Sequence, residues 1–103
     1  MQYDVCWVEL DPTQGSEIAK TRPCVVVSPD ELNALLNTVV VVPLTSTLRG
    51  YPFRVQCVVA GKKGELAIDQ IRAVDKSRLK SNILGRLSYV EIDTLCFYRK
   101  KFK

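Results

Sequence analysis

The 103-residue chain contains no histidine. Catalysis by a pair of imidazoles is thereby excluded, and with it the commonest nitrogen ligand for zinc. Cysteine does not fill that gap. Cys6, Cys24, Cys57 and Cys96 are widely separated, no C-x-x-C occurs, and each thiol sits among apolar neighbours. On this pattern no metal and no other cofactor is expected, and the thiols read as reduced core residues of a cytosolic protein rather than as two disulfides. Long apolar stretches are missing too: a run such as Val39 to Leu44 falls far below the roughly 20 residues that a membrane-spanning helix needs. The opening MQYDVCW has no basic segment leading into an apolar one, so no membrane association is expected and a cytoplasmic location follows.

What remains is the composition of a soluble globular protein, 47% hydrophobic and 25% charged, with no low-complexity tract and no internal repeat. The length suits one core, so residues 1–103 are expected to form a single domain. The net charge of +4 permits attraction to a polyanion without requiring it.

Along the chain, YDVCWVEL (residues 3–10) is rich in β-branched and aromatic side chains and stops at the turn signal Asp11-Pro12, which predicts a strand followed by a loop over residues 11–22. Pro23 holds Arg22 extended and suits the first position of a strand ending at Val27. In SPDE (28–31) Ser28 can cap a helix, Pro29 fits its first position and Glu31 completes a capping box, so a short helix to about Leu36 is expected. A valine strand over 38–47 follows, interrupted by Pro43 and leaving through three hydroxyls, Thr45, Ser46 and Thr47. YPFRVQCVV (51–59) alternates, with Phe53, Val55, Cys57 and Val59 on one face. Gly61 to Gly64 is expected to turn, and ELAIDQIRAV reads as an imperfect strand broken by Asp69 and Gln70. A short ILGRL segment precedes a second capping box, Ser88 with Glu91, opening a C-terminal helix on which Ile92, Leu95, Cys96 and Arg99 share a face. Lys100, Lys101 and Lys103 close that helix in keeping with its dipole. The sum is mainly β with short helices, arranged as a small, strongly curved antiparallel sheet or partly open barrel.

One connection is unusually charged. GSEIAKTRP (15–23) places Glu17, Lys20 and Arg22 beside a strand, where a merely solvated loop and a working site look alike.

At this point several stretches resemble a family. WVELDPTQGSEIAKTRPCVVVSPDELN is similar to the opening of MazF/PemK/Kid toxins, with their W-V-x-x-D-P-T-x-G-S-E-x-x-x-x-R-P pattern, and VVPLTST, GYPFRV and LAIDQIRAVD resemble the later blocks in order. The resemblance implies an SH3-like barrel of the MazF/Kid/CcdB type with a C-terminal helix, and a homodimer. It implies a toxin of a type II toxin-antitoxin system, an endoribonuclease cutting single-stranded RNA and restrained by a MazE-like antitoxin with an acidic disordered segment. Two other classes fit the fold, a CcdB-like topoisomerase poison and a non-catalytic RNA-binding barrel. The intact R-P and T-S blocks favour the nuclease.

RNA can be cut without a metal when its own 2′-hydroxyl attacks the adjacent phosphorus, given a proton acceptor, a proton donor and stabilisation of the phosphorane charge. The family's arginine and threonine fall on Arg22 and Thr45, and its loop carboxylate on Glu17, a candidate base. Arg22 can grip nonbridging oxygens with its planar fork, and the Thr45 hydroxyl can donate to the same phosphate. Ser16, Lys20, Ser46, Tyr51, Phe53 and Gln70 are candidates for reading the RNA. Phe53 also reads as a core side chain, and Asp69 as a turn cap or a partner of Arg72. Two positions depart from relatives: Ala67 stands where Kid-like members carry an arginine, and Thr21 where some carry a histidine.

Overall fold

The computed structural model describes residues 1–101, with Ser81 described in its backbone alone. Lys103, assigned to the basic end of the last helix, lies outside the described residues. The chain forms β1 (Asp4–Glu9), β2 (Thr21–Val26), α1 (Asp30–Leu35), β3 (Thr38–Thr45), β4 (Arg54–Val59), β5 (Lys62–Ala67), β6 (Arg72–Asp75), β7 (Leu79–Arg86) and α2 (Tyr89–Arg99). Single 3-10 turns at Ile68–Gln70 and Lys76–Arg78 flank β6.

All strand pairs are antiparallel, in the order β4-β5-β3-β2-β1-β7, with β6 alongside β3. β3 is where the sheet curls. Along one edge it pairs with β2; along the other it pairs first with β6, from Thr38↔Asp75 to Val41↔Arg72, and then with β5 through Leu44↔Leu66 and Thr45↔Glu65. The Val40 carbonyl accepts from the Val27 N–H at 2.9 Å, so even positions of β3 address β2 and odd ones, Pro43 included, address the opposite edge. Proline's missing N–H therefore falls at the step between β6 and β5, where a ladder bond is dispensable. The expected curved antiparallel sheet with a C-terminal helix is what the chain builds.

The valine-rich centre is buried on both faces, which explains its continuous apolar runs. On one side Val5, Val25, Val27 and Val42 pack with Val55, Cys57, Leu66 and Ile68 under Leu95 of α2. On the other, Cys6, Val8, Leu10, Cys24, Val26, Val39, Val41 and Val74 form a second cluster. Cys6, Cys24 and Cys57 are buried, Cys96 is half-buried, and all four are free thiols.

Several local expectations shift. Pro23 is the third residue of β2, opposite Trp7, at a point where β3 has not yet begun to pair. No capping box opens α1: Pro29 is the N-cap, and Ser28 instead donates to Asn33 Oδ1 at 2.6 Å and accepts from the Val40 N–H at 3.0 Å. Those bonds satisfy a buried Ser–Asn pair, which outweighs an exposed cap. The turn placed at Gly61 to Gly64 is the two-residue turn Ala60–Gly61, both at positive φ, as a type I′ hairpin requires. Lys62, Lys63 and Gly64 belong to β5. At α2 the expected capping box is present, with Glu91 also accepting from the Val58 N–H of β4 at 2.8 Å.

Candidate functional site

The ends of β2 and β3 meet the β4–β5 hairpin around a groove of about 340 Å³. Its walls carry Arg22, Thr45 and Ser46, with Lys62 and Lys63 from the hairpin, over a floor including Trp7, Leu44, Val59 and Leu84. Three residues singled out in two separate sequence blocks thus share one cavity. Val8↔Arg22 pairing carries Arg22 onto the exposed end of β2, where its Nε donates to the Ala19 carbonyl at 3.1 Å. That bond fixes the guanidinium plane, while its Nη groups have no partner among the described residues. Thr45 is the last residue of β3, and its Oγ1 accepts from the Thr47 N–H at 3.1 Å. The hydroxyl proton is left for another acceptor.

Gly64 holds the hairpin against this strand end. A Cβ there would lie 3.0 Å from the Thr45 carbonyl oxygen and 3.2 Å from Leu44 Cδ1. Only glycine allows the approach without displacing Thr45.

Other candidates lie elsewhere. Glu17 and Gln70 line a separate cavity of about 170 Å³ with Ile18, Pro43, Asp69, Ile71 and Arg72. The exposed Glu17 accepts from the Gln14 N–H at 2.6 Å. Gln70 Oε1 accepts from the Ile18 N–H at 2.6 Å, which ties the 11–20 loop to the 3-10 turn and occupies the amide oxygen. The base of that loop is closed by the Leu10 N–H to the Lys20 carbonyl at 2.9 Å, leaving Ser16 and Lys20 exposed. Tyr51 and Phe53 stack at 5.6 Å between ring centres, with Tyr51 exposed and Phe53 half-buried.

Sequence reading missed the ion network beside the groove. Glu65 has no exposed surface, yet it accepts from the Arg49 N–H at 3.1 Å and the Gly50 N–H at 2.8 Å, and it stands 3.6 Å from Arg54 Nη1. Burial alone would raise its carboxyl; the two backbone donors and the guanidinium outweigh that and hold it below the usual range. Arg54 also forks onto Asp69 at 2.9 and 3.2 Å and lies 5.3 Å from the Tyr51 ring centre. Asp69 therefore pairs with Arg54, whereas Arg72 donates to the Leu10 carbonyl at 3.2 Å. The place of Trp7, Lys62 and Lys63 on the groove was missed as well. Reading K-K as strand rather than turn would have found the lysines, because they follow the two-residue Ala60–Gly61 turn.

Among the described residues no group of three or more His, Cys, Asp or Glu side chains could hold a metal ion, and no helix is long and apolar enough to cross a membrane.

A family model described as PemK-like, MazF-like toxin of type II toxin-antitoxin system matches residues 1–96. The chain is 39% identical over 71 residues to the endoribonuclease toxin MazF of Escherichia coli K12, a match spanning 69% of this chain and 64% of that relative, a little under two thirds of its length. It is 36% identical to endoribonuclease MazF9 of Mycobacterium tuberculosis, over 89% of this chain and 86% of that one. Its fold is similar to crystalline MazF from Deinococcus radiodurans, with a TM-score of 0.86 at 25% identity, covering 97% and 92% of the two chains.

Proposed function

The chain belongs to the PemK-like, MazF-like toxins of type II toxin-antitoxin systems, and we propose that it is an endoribonuclease that cuts single-stranded RNA without a metal and so arrests translation and growth. The observation that carries this reading is that Arg22, whose Nη groups have no partner among the described residues, and Thr45, whose hydroxyl proton is likewise unclaimed there, line one groove.

In the reaction the 2′-oxygen attacks the adjacent phosphorus, the P–O2′ bond forms and the P–O5′ bond breaks. The products carry a 2′,3′-cyclic phosphate and a 5′-hydroxyl. Arg22 grips the nonbridging oxygens with two charge-assisted hydrogen bonds, which strengthen as charge builds on the phosphorane. Thr45 donates a third. Glu17, on the 11–20 loop outside the groove, takes the 2′-proton when that loop closes over the RNA, and water supplies the proton that the leaving O5′ takes up. Lys62 and Lys63 draw the backbone in, and Ser16, Lys20, Ser46, Tyr51, Phe53 and Gln70 read the bases, Gln70 through its remaining amide donor.

Residues 1–103 act as one toxin domain in the cytoplasm, working as a homodimer. The cognate antitoxin presents an acidic, initially disordered segment that competes with RNA phosphates for the basic groove.

The test is incubation with a long single-stranded RNA in excess EDTA, followed by mapping of both new ends. Discrete cuts with cyclic phosphate and 5′-hydroxyl ends are expected. Loss of cutting in EDTA, or 3′-hydroxyl ends, would overturn the metal-free 2′-hydroxyl mechanism, and no cutting on varied RNAs would point to topoisomerase poisoning or simple binding.

A further inference from the structure

A carboxylate removed from water is costly, and an apolar side chain of similar size commonly fills such a place at no loss of stability. Glu65 is nevertheless wholly buried, directly opposite Thr45 in the β3–β5 pair. Its two oxygens divide their work. One accepts from the Arg49 N–H and the other from the Gly50 N–H, in the segment that leaves Thr45 and returns as β4. Its counter-ion, Arg54, begins β4 and is shared with Asp69 of the 3-10 turn. The same guanidinium lies against Tyr51, which stacks on Phe53. One buried charge thus ties three pieces together: the segment after Thr45, the aromatic pair, and the turn that carries Gln70.

We propose that Glu65 is a positioning residue that fixes residues 46–53 beside the groove and thereby sets which RNA sequences are cut. The proposal rests on the nuclease reading above. Glu65 touches no substrate. It acts through the backbone of Arg49 and Gly50 and through Arg54, so removing its charge loosens substrate contacts more than it slows the bond-breaking step.

The test uses Glu65→Gln, which keeps the side chain's shape but presents an amide donor to one of the two N–H groups. Hydrogen exchange at the Arg49 and Gly50 amides, which needs no RNA, is expected to speed up by about tenfold or more, the scale of a lost hydrogen bond to a charge. Cleavage assays at matched folded concentration are expected to show a raised KM, a nearly unchanged kcat and cuts at additional sequences. Unchanged exchange at these amides, or an unchanged cut pattern and KM with only a lower melting point, would overturn the proposal. Should Glu65→Gln fail to fold, Glu65→Asp serves in its place: it keeps the charge but draws the carboxylate one methylene back from the Arg49 and Gly50 amides, and the same three readouts apply. Absence of cutting by the unmodified protein would sink the nuclease reading alone, and the exchange rates would still decide whether Glu65 fixes the segment.

Discussion

Arg22 and Arg54 are the same side chain put to opposite uses. Arg54 has 7% of its side chain exposed and spends its fork on Asp69, its Nη1 on Glu65 and its face on Tyr51. Arg22 is exposed, is anchored among the described residues through Nε alone, and lines a groove that also holds Thr45. A guanidinium whose three nitrogens all face carboxylates has little to offer a substrate. One that is oriented by a single bond and otherwise unpaired is prepared for a phosphate. The contrast separates framework from function more sharply than charge or exposure does.

The comparison breaks first under stability measurements. Arg54→Ala leaves Glu65 buried without its counter-ion and is expected to cost about 3 kcal/mol in denaturant unfolding, whereas Arg22→Ala is expected to change stability by less than about 0.5 kcal/mol. Equal costs would erase the distinction. Gly64→Ala comes next: the added methyl presses on the Thr45 carbonyl and is expected to cost about 1–3 kcal/mol and to slow cleavage by shifting Thr45, both readable on one purified variant.

Titration sharpens the contrast between charged and neutral buried groups. Glu65 ionises more readily in the folded protein than its ordinary value of 4.5, so its contribution is present above that pH and is lost as the pH falls through the folded value. Cys24 and Cys57 run the other way. Burial pushes both thiols from 9.0 up to about 12, so the unfolded chain ionises first and stability drains as pH rises between those values. Unfolding midpoints across pH should fall at both extremes, and Cys24→Ala should flatten the alkaline limb alone. The smallest effect belongs to Lys62→Ala: removal of one phosphate contact is expected to lower the salt slope of RNA binding by about 0.7. An unchanged slope would take Lys62 off the RNA path.

Much of this architecture was legible because the sequence is locally consistent. Ser88 and Glu91 announced α2, and the alternation of Val55, Cys57 and Val59 announced β4. Arg22 and Thr45 were identified by motif and prove to share a groove, which spacing alone could not reveal since they sit on neighbouring strands. The failures have physical causes. At Ser28 a buried partner, Asn33, took the hydroxyl that local chemistry assigned to a cap. At Gly61 the turn opens one residue earlier, at Ala60, a residue seldom found at positive φ, and closes before Lys62 rather than at Gly64. Glu65 was invisible because nothing local in G-E-L-A says that its partners are Arg49, Gly50 and Arg54, which β4–β5 pairing and the preceding loop bring together.

The most direct test is the single-turnover cleavage rate of Arg22→Ala against the unmodified protein, at equal folded concentration and saturating RNA. A fall of at least about a hundredfold with the fold intact is the expected result, the scale of losing a donor aimed at a developing anion. A rate within about threefold would contradict the assignment of phosphorane stabilisation to the free fork of Arg22.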